Sequence, residues 1–264
     1  MSAELIELRI HSSIATLHLN RPEKRNAIND ELRAQFVAAL ERIVADRDIR
    51  ALVLTGNGKA FCAGGDVDAM ARRLETPIGE VGFKGWSRQQ QVHHAQALLH
   101  TLPIPTIAAV NGPAAGLGAD TALACDFIIA SGEASFAWSY INRGLIPDGG
   151  GMYLLPRRVG LPKAKELIFS GRKVDADEAL RLGIADRLSS AALLLADAHA
   201  WAAELSKGSR PAIALGKTIV NQSFELSAEQ IFAQGSQAQG ICYTSSEHRD
   251  SVMAFLQKSS GPQS

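Results

Sequence analysis

The fold is decided by the stretch Ala51-Leu-Val-Leu-Thr-Gly-Asn-Gly-Lys-Ala-Phe-Cys-Ala-Gly-Gly-Asp-Val67. It begins with a continuous apolar run, residues 51–55, which Gly56-Asn57-Gly58 ends. A short apolar run without polar alternation is typical of a parallel strand that is buried on both faces. A glycine-rich turn, residues 60–67, follows. The stretch therefore predicts a buried strand, a tight turn and the start of a helix.

The same arrangement returns further along the chain. The apolar run 106–110 leads into a second glycine-rich turn, residues 111–120, and residues 127–130 form a third apolar run. Strands that alternate with helical stretches predict stacked β/α units. Around this core the sequence predicts strands at residues 5–10 and 14–19, an amphipathic helix from about Asp30, a mobile, substrate-side loop at residues 76–85, and helices after about Ala191.

The overall charge of the chain is balanced. Its 264 residues include 27 lysines and arginines and 27 aspartates and glutamates. A chain without net charge has no long-range field for gripping nucleic acid or an anionic membrane. We therefore expect neither as a partner, and any phosphate binding has to be local.

The cysteines and the termini indicate a reducing compartment. Cys62, Cys125 and Cys242 are far apart and odd in number, which favours free thiols. The first residues carry Glu4 and Glu7 and lack a signal-peptide pattern. No apolar run approaches the roughly 18 residues that a membrane-spanning helix needs. The prediction is a cytoplasmic protein.

Both glycine-rich turns predict backbone amides without partners. Each turn leaves a strand and enters a helix, and the first amides of a helix have no partner within that helix. Two such amides that converge on one point form an oxyanion hole. Glycines after strands are equally typical of ordinary turns, so neither turn decides the function alone.

Several common motifs are missing. The segment Gly116-Leu-Gly-Ala-Asp-Thr121 lacks the last glycine of a dinucleotide-binding motif, and the chain contains neither a P-loop nor the Gly-x-Ser-x-Gly of serine hydrolases. His93, His94 and His100 fall on a predicted helix without a carboxylate at metal-ligand spacing. No metal site is predicted.

Four segments in order resemble the signature segments of the crotonase (enoyl-CoA hydratase/isomerase) superfamily. They are Asn20-Arg-Pro-Glu-Lys-Arg-Asn-Ala-Ile28, Lys59-Ala-Phe-Cys-Ala-Gly-Gly-Asp-Val67, Ile107-Ala-Ala-Val-Asn-Gly-Pro-Ala-Ala-Gly116 and Gly144-Leu-Ile-Pro-Asp-Gly-Gly-Gly151. The resemblance implies an α/β fold, a crotonase-like spiral of β/α (ββα) units over residues 1–195, and a C-terminal helical trimerisation region over residues 196–264. It also implies an acyl-CoA thioester substrate, no separate cofactor, and a homotrimer or dimer of trimers.

The resemblance also implies a set of site residues. The oxyanion amides would be those of Gly65 and Leu117, and coenzyme A would lie along the loop of residues 21–27 and the turn of residues 63–68. The cations of that loop are suited to phosphates. The residues expected to bind substrate or coenzyme A are Arg21, Lys24, Arg25, Ala27, Ala63, Asp66, Val67, Gly116 and Tyr140.

The acid/base residues depart from the hydratase pattern. In the hydratases of this family, two glutamates hold and activate a water. The resemblance places those two positions at Asp120 and Tyr140 here. A phenol with a pKa near 10 is a poor base at neutral pH. The segment Leu145-Ile-Pro-Asp148 instead resembles the isomerases of phenylacetate degradation, whose catalytic aspartate matches Asp148. The leading hypothesis is isomerisation of an enoyl-CoA, with Asp148 as acid and base.

Other functions stay open at this point. A hydratase would add water to a 2-enoyl-CoA through Asp120. A hydrolase or dehalogenase would use Asp148 as a nucleophile, as chlorobenzoyl-CoA dehalogenases do. A non-catalytic binder of coenzyme A thioesters is the fourth alternative, and a structural role for Asp148 would be to cap the helix that follows it.

Overall fold

The computed structural model describes residues 4–259. This part of the chain contains nine strands: β1 (Ile6–His11), β2 (Ile14–Leu19), β3 (Ala51–Gly56), β4 (Thr106–Val110), β5 (Pro113–Ala115), β6 (Phe127–Ser131), β7 (Ser135–Ala137), β8 (Val174–Asp175) and β9 (Arg187–Ser189). It also contains eleven α-helices: α1 (Asp30–Ala45), α2 (Val67–Arg73), α3 (Ile78–His100), α4 (Leu117–Ala124), α5 (Gly151–Val159), α6 (Leu161–Ser170), α7 (Ala176–Leu182), α8 (Leu194–Leu205), α9 (Arg210–Asn221), α10 (Ala228–Tyr243) and α11 (Ser246–Ser259).

The strands form two sheets. The larger sheet has the order β1-β2-β3-β4-β6-β9, and the smaller has the order β5-β7-β8. In the larger sheet β1 runs antiparallel to β2, and all later neighbours are parallel. The two predicted N-terminal strands and the three predicted apolar strands are therefore confirmed. The α/β spiral with a helical C-terminal region is confirmed as well.

The larger sheet is buried on both faces. Leu52 and Leu54 face the main core, which α1 and the second half of α3 cover. Ala51 and Val53 face the opposite side, where α8 contributes Trp201. Successive side chains of a strand point to opposite faces. A strand without polar residues can therefore pack against a hydrophobic core on each face. This explains why the apolar run of β3 sets the architecture.

The predicted loop at residues 76–85 is wrong from residue 78 onward, because α3 begins at Ile78. Gly79, Gly82 and Gly85 lower the helix propensity of this segment, and its residues have no buried face. The second half of α3 does have a buried face, formed by Val92, Ala95, Gln96 and Leu99. Helix growth is cooperative, so the buried half extends the helix into the glycine-containing half.

The last three helices lie largely on the surface. The structure shows no buried residue in α9 or α10, and the described side chains of α11 are exposed except that of Glu247, which is partly buried. Lys217 on α9 ties this region to the sheet through an ion pair of 2.8 Å with Asp126. The predicted boundary at residue 195 lies inside α8, which packs on the sheet. Residues 260–264 of the predicted C-terminal region are outside the described part. Between residues 4 and 259, no helix has both the length and the apolarity needed to cross a membrane.

Candidate active site

The two glycine-rich turns meet side by side. Cys62 and Ala114 form a parallel bridge, and the Ala115 amide donates to the Cys62 carbonyl at 2.9 Å. Gly64 has φ +93, and a Cβ there would lie 2.6 Å from the Ala115 carbonyl oxygen and 3.3 Å from the Leu117 nitrogen. Only glycine permits both this backbone conformation and this close approach. The glycines thus bring the start of α4 against the turn before α2.

The amides of Gly65 and Leu117 are both available as donors. Among the hydrogen bonds of residues 4–259, none has either amide as its donor. Leu117 is the first residue of α4, and Gly65 directly precedes Asp66, the N-cap of α2. Helix N-termini attract negative charge through their free amides. The two adjacent turns therefore each present a backbone amide without a hydrogen-bond partner among the described residues.

The loop of residues 21–27 lies against the turn of residues 63–68. The Ala63 amide donates to the Arg25 carbonyl at 2.9 Å. Arg21 forms an ion pair with Asp66 and also donates to the Ala27 carbonyl at 3.1 Å, and Lys24 pairs with Asp68 at 2.8 Å. Two of the three expected phosphate ligands therefore already have acidic partners, and Val67 beside them is exposed.

Asp120 lies in a sealed polar cluster. Trp138 Nε1 donates to its Oδ1 at 3.0 Å, and the Tyr140 hydroxyl donates to its Oδ2 at 2.7 Å. The carboxyl group is fully buried, and burial raises its pKa to about 7. The two side-chain hydrogen bonds and one from the Gly151 amide oppose this rise, whereas the charge of Asp148 adds to it.

Tyr140 is a donor within this cluster. Burial, followed by the charge of Asp120, raises the pKa of Tyr140 above its ordinary value, so the phenol keeps its proton. Its ring also approaches Gly116, where a Cβ would lie 3.8 Å from ring atoms. The structure therefore places Tyr140, Asp120 and the Leu117 turn together.

Asp148 occupies a more open position. It is half-buried in the segment between the 3-10 helix Ser139–Arg143 and α5. It does not cap α5, because Gly150 is the N-cap and no side chain bonds to that helix end. The capping role considered above is therefore wrong. Burial raises the pKa of Asp148, against smaller effects of its own amide, His93 and Arg88.

Gly149, which follows Asp148 in the sequence, packs against both Asp120 and Leu117. A Cβ on Gly149 would overlap Leu117 Cδ1 and lie 2.8 Å from Asp120 Oδ2. A Cβ on Gly151 would overlap Asp120 Oδ1. The run of three glycines after Asp148 thus lets the backbone pack directly on the buried carboxyl group. As a result, Gly149, the residue after Asp148, contacts the side chain of Leu117.

Sequence reasoning missed the contribution of α3. His93 and Gln96 line a cavity of about 330 Å³ together with Asp148. Gln96 Nε2 donates to the Thr121 hydroxyl at 2.9 Å, while its Oε1 is buried without a hydrogen bond. A helix prediction through residues 78–100 would have placed Arg88, Val92 and Gln96 on one face by their spacing of four. Within the described residues, no group of three or more His, Cys, Asp or Glu side chains is arranged to hold a metal ion.

The chain is similar to known proteins over nearly its whole length. The family model described as enoyl-CoA hydratase/isomerase matches residues 9–262. A Rhodobacter capsulatus protein described as "Probable enoyl-CoA hydratase" is 36% identical over 264 residues, covering 98% of this chain and 97% of the relative. The 1,2-epoxyphenylacetyl-CoA isomerase of Escherichia coli is 35% identical over 259 residues, with 97% of each chain covered.

A solved structure shares the fold. The crystal structure of an enoyl-CoA hydratase/isomerase from Cupriavidus metallidurans superposes with a TM-score of 0.90 at 34% identity. The match covers 98% of this chain and 95% of that one. Sequence and structure comparisons therefore agree over nearly the whole chain.

Proposed function

This chain belongs to the enoyl-CoA hydratase/isomerase family, and we propose that it shifts the double bond of an enoyl-CoA thioester with Asp148 as acid and base. The single observation that carries the proposal is the position of Asp148. It is a half-buried carboxylate without a side-chain hydrogen bond or ion pair, and the neighbouring Gly149 packs on the side chain of Leu117, the first residue of α4. Among the relatives, the isomerase name of the Escherichia coli protein is consistent with it.

The proposed reaction needs one base and one anion-binding site. The thioester carbonyl oxygen lies between the amides of Gly65 and Leu117, which stabilise the negative charge as it develops. Asp148 removes a proton from Cα of a 3-enoyl thioester and gives a dienolate. It returns the proton to Cγ, so that the double bond moves into conjugation with the carbonyl. Burial raises the pKa of Asp148, which makes the carboxylate a stronger base.

Asp120 and Tyr140 are assigned a positioning role in this mechanism, and neither acts as the base. Both oxygens of Asp120 accept hydrogen bonds from Trp138 and Tyr140, which leaves the carboxylate little capacity to activate a water. Hydration in this family is expected to need a second carboxylate at the position of Tyr140, which is a protonated phenol here. We therefore assign Asp120 a positioning role beneath Gly149 and Gly151.

Hydration through Asp120 is the second candidate. The observation in its favour is the pKa of Asp120, about 7, which suits proton transfer at neutral pH. Hydratase names among the relatives are a further reason to test it. It requires substrate or water to reach a carboxyl group that is fully buried in this structure.

The first experiment separates the reactions with two substrates. A 3-enoyl-CoA gains the near-ultraviolet absorbance of a conjugated thioester on isomerisation, whereas a 2-enoyl-CoA loses it on hydration. We expect the gain to be fast and the loss to be slow. The reverse order of rates would assign the chain to hydration. A covalent adduct on Asp148 in the mass spectrum of a quenched reaction would indicate hydrolysis or dehalogenation instead.

The second experiment removes one oxyanion donor. Leu117→Pro deletes the amide hydrogen, and proline is well tolerated at the first position of a helix. Leu117→Ala is the matched control, because it also shortens the side chain but keeps the amide. We expect kcat/KM of the proline variant to lie about 10²–10³-fold below that of the alanine variant. Equal values in two variants with the same helix content would remove the Leu117 amide from the mechanism.

Coenzyme A is proposed to lie along the loop of residues 21–27 and the turn of residues 63–68. The support is the direct packing of the two segments. Arg25 is exposed at the junction, and no ion pair of the described residues involves it. The assembly into a homotrimer or a dimer of trimers stays a prediction.

A further inference from the structure

A cavity of about 860 Å³ lies between α2, the first half of α3 and the segment that leads to Asp148. Its walls are largely apolar and include Met70, Leu74, Phe83 and Leu145. Met70 also packs at the oxyanion end, since its Cε lies 2.7 Å from where a Cβ on Gly65 would be. The cavity therefore extends from the proposed thioester position along the exposed half of α3.

Three arginines that form no ion pair among the described residues line this apolar cavity. Arg73, Arg88 and Arg143 all contribute to the wall, and no ion pair among residues 4–259 includes any of them. The other charges of the wall are already matched. Lys84 pairs with Glu80 at 2.6 Å, and Asp30 pairs with Arg33 at 2.7 Å. The cavity thus carries three guanidinium groups outside any ion pair of the described residues, although Asp30 and Asp66 act electrostatically on Arg73, and Arg88 acts on Asp148.

The surroundings of Arg73 and Arg88 are unfavourable for two guanidinium groups without a bound anion. Arg88 Nε is buried and has no hydrogen bond. Burial, followed by the like charge of Arg88, lowers the pKa of Arg73. A buried donor without a partner and two neighbouring like charges are both energetically unfavourable. An anion between the guanidinium groups would relieve both effects, because arginine binds carboxylates through paired hydrogen bonds.

We propose that the acyl group carries a carboxylate at the end remote from the thioester, which Arg88 and Arg73 bind. The apolar stem packs against Met70, Leu74 and Phe83, and the carboxylate meets the arginines further along the cavity. This inference rests on the proposed function, because it takes the thioester to lie at Gly65 and Leu117. It names the substrate class as acyl-CoA thioesters of dicarboxylic acids.

The same guanidinium groups would also suit the phosphates of coenzyme A. The two sources of anion differ in one respect, since every acyl-CoA carries the phosphates and only some carry the acyl carboxylate. Loss of an arginine that binds phosphate weakens all thioesters alike. Loss of an arginine that binds the acyl carboxylate weakens only the dicarboxylic ones.

Calorimetry with saturated thioesters tests this without any turnover. The probes are hexanoyl-CoA with hexanedioyl-CoA, and octanoyl-CoA with octanedioyl-CoA. At one chain length at least, we expect the carboxylate-ended member to bind about tenfold or more tightly, as for a hydrogen-bonded charge pair. Arg88→Gln is expected to abolish the preference by weakening only that member. Since these probes cannot isomerise, a failure of the proposed reaction leaves the binding result readable.

Lys84→Gln is the matched control, because it removes a cation of the same cavity that is already paired with Glu80. The preference for the carboxylate is expected to survive in this variant. Three outcomes would overturn the proposal: no preference at either chain length, equal weakening of both members by Arg88→Gln, or equal loss of preference in Arg88→Gln and Lys84→Gln.

Discussion

Two aspartates near Leu117 show how burial and bonding together assign a role. Asp120 is fully buried, and the donors of Trp138 and Tyr140 occupy its oxygens. Asp148 is half-buried and has no side-chain partner. Burial raises the pKa of both carboxyl groups. A raised pKa alone therefore does not make a base, because a base also needs a lone pair that the substrate can reach.

The largest difference between Asp148 and Asp120 is expected in catalysis. Asp148→Asn removes the proposed base, and kcat should fall about 10²–10⁴-fold. The unfolding free energy should change by only about 0.5 kcal/mol, because the side chain is half-exposed and unpaired. Isomerase rates and chemical denaturation measure the two quantities. Full activity in Asp148→Asn would reverse the assignment of roles.

The next contrast is in the pH dependence of stability. The folded-state pKa of Asp120, about 7, lies above the ordinary value of 3.8, so the unfolded chain releases this proton first. Its stabilising contribution is therefore present at low pH and is lost as pH rises through 7. Relative to Asp120→Asn, the wild type should lose roughly 2–3 kcal/mol of unfolding free energy between about pH 5 and pH 8.

Denaturation of both proteins across this range gives the difference directly. Asp148→Asn, measured in parallel, should follow the wild type much more closely. A constant difference between the wild type and Asp120→Asn would show that Asp120 is ionised throughout.

The smallest effect concerns a single hydroxyl group. Tyr140→Phe deletes the donor to Asp120 Oδ2 and should cost about 1–2 kcal/mol of unfolding free energy. The lost hydrogen bond lowers the pKa of Asp120 at present, so its pKa should rise further. Tyr153→Phe is the control, because that hydroxyl bonds to the exposed Glu225 at 2.8 Å and should cost much less. Equal losses of unfolding free energy in the two variants would contradict the burial of the hydrogen bond between Tyr140 and Asp120.

Local signals in the sequence predicted most of the fold. The apolar runs at β3, β4 and β6 and the two glycine-rich turns are continuous in sequence, so their meaning does not depend on distant residues. The first half of α3 was not predictable in the same way, because a buried face some ten residues further on maintains it. Helix propensity alone favours a loop there.

The site was predictable in its backbone and less so in its side chains. The positions of Gly65, Leu117 and Asp148 follow from short motifs, although their roles stay predictions. The bonds from Trp138 and Tyr140 to Asp120 span 18 and 20 residues and depend on how two segments pack. The ion pair of Arg21 with Asp66 spans 45 residues, and no local pattern indicates it.

The two halves of α3 contact different parts of the molecule: the second half packs in the core, and the first half lines a cavity. Residues 92–99 hold the sheet in place, whereas residues 81–88 contribute to the cavity wall with side chains that are exposed or only partly buried. Substitutions in the second group reshape the cavity and leave the core intact. If this cavity binds the acyl group as proposed, a lineage with this helix can change its substrate through point mutations without first acquiring compensating changes elsewhere.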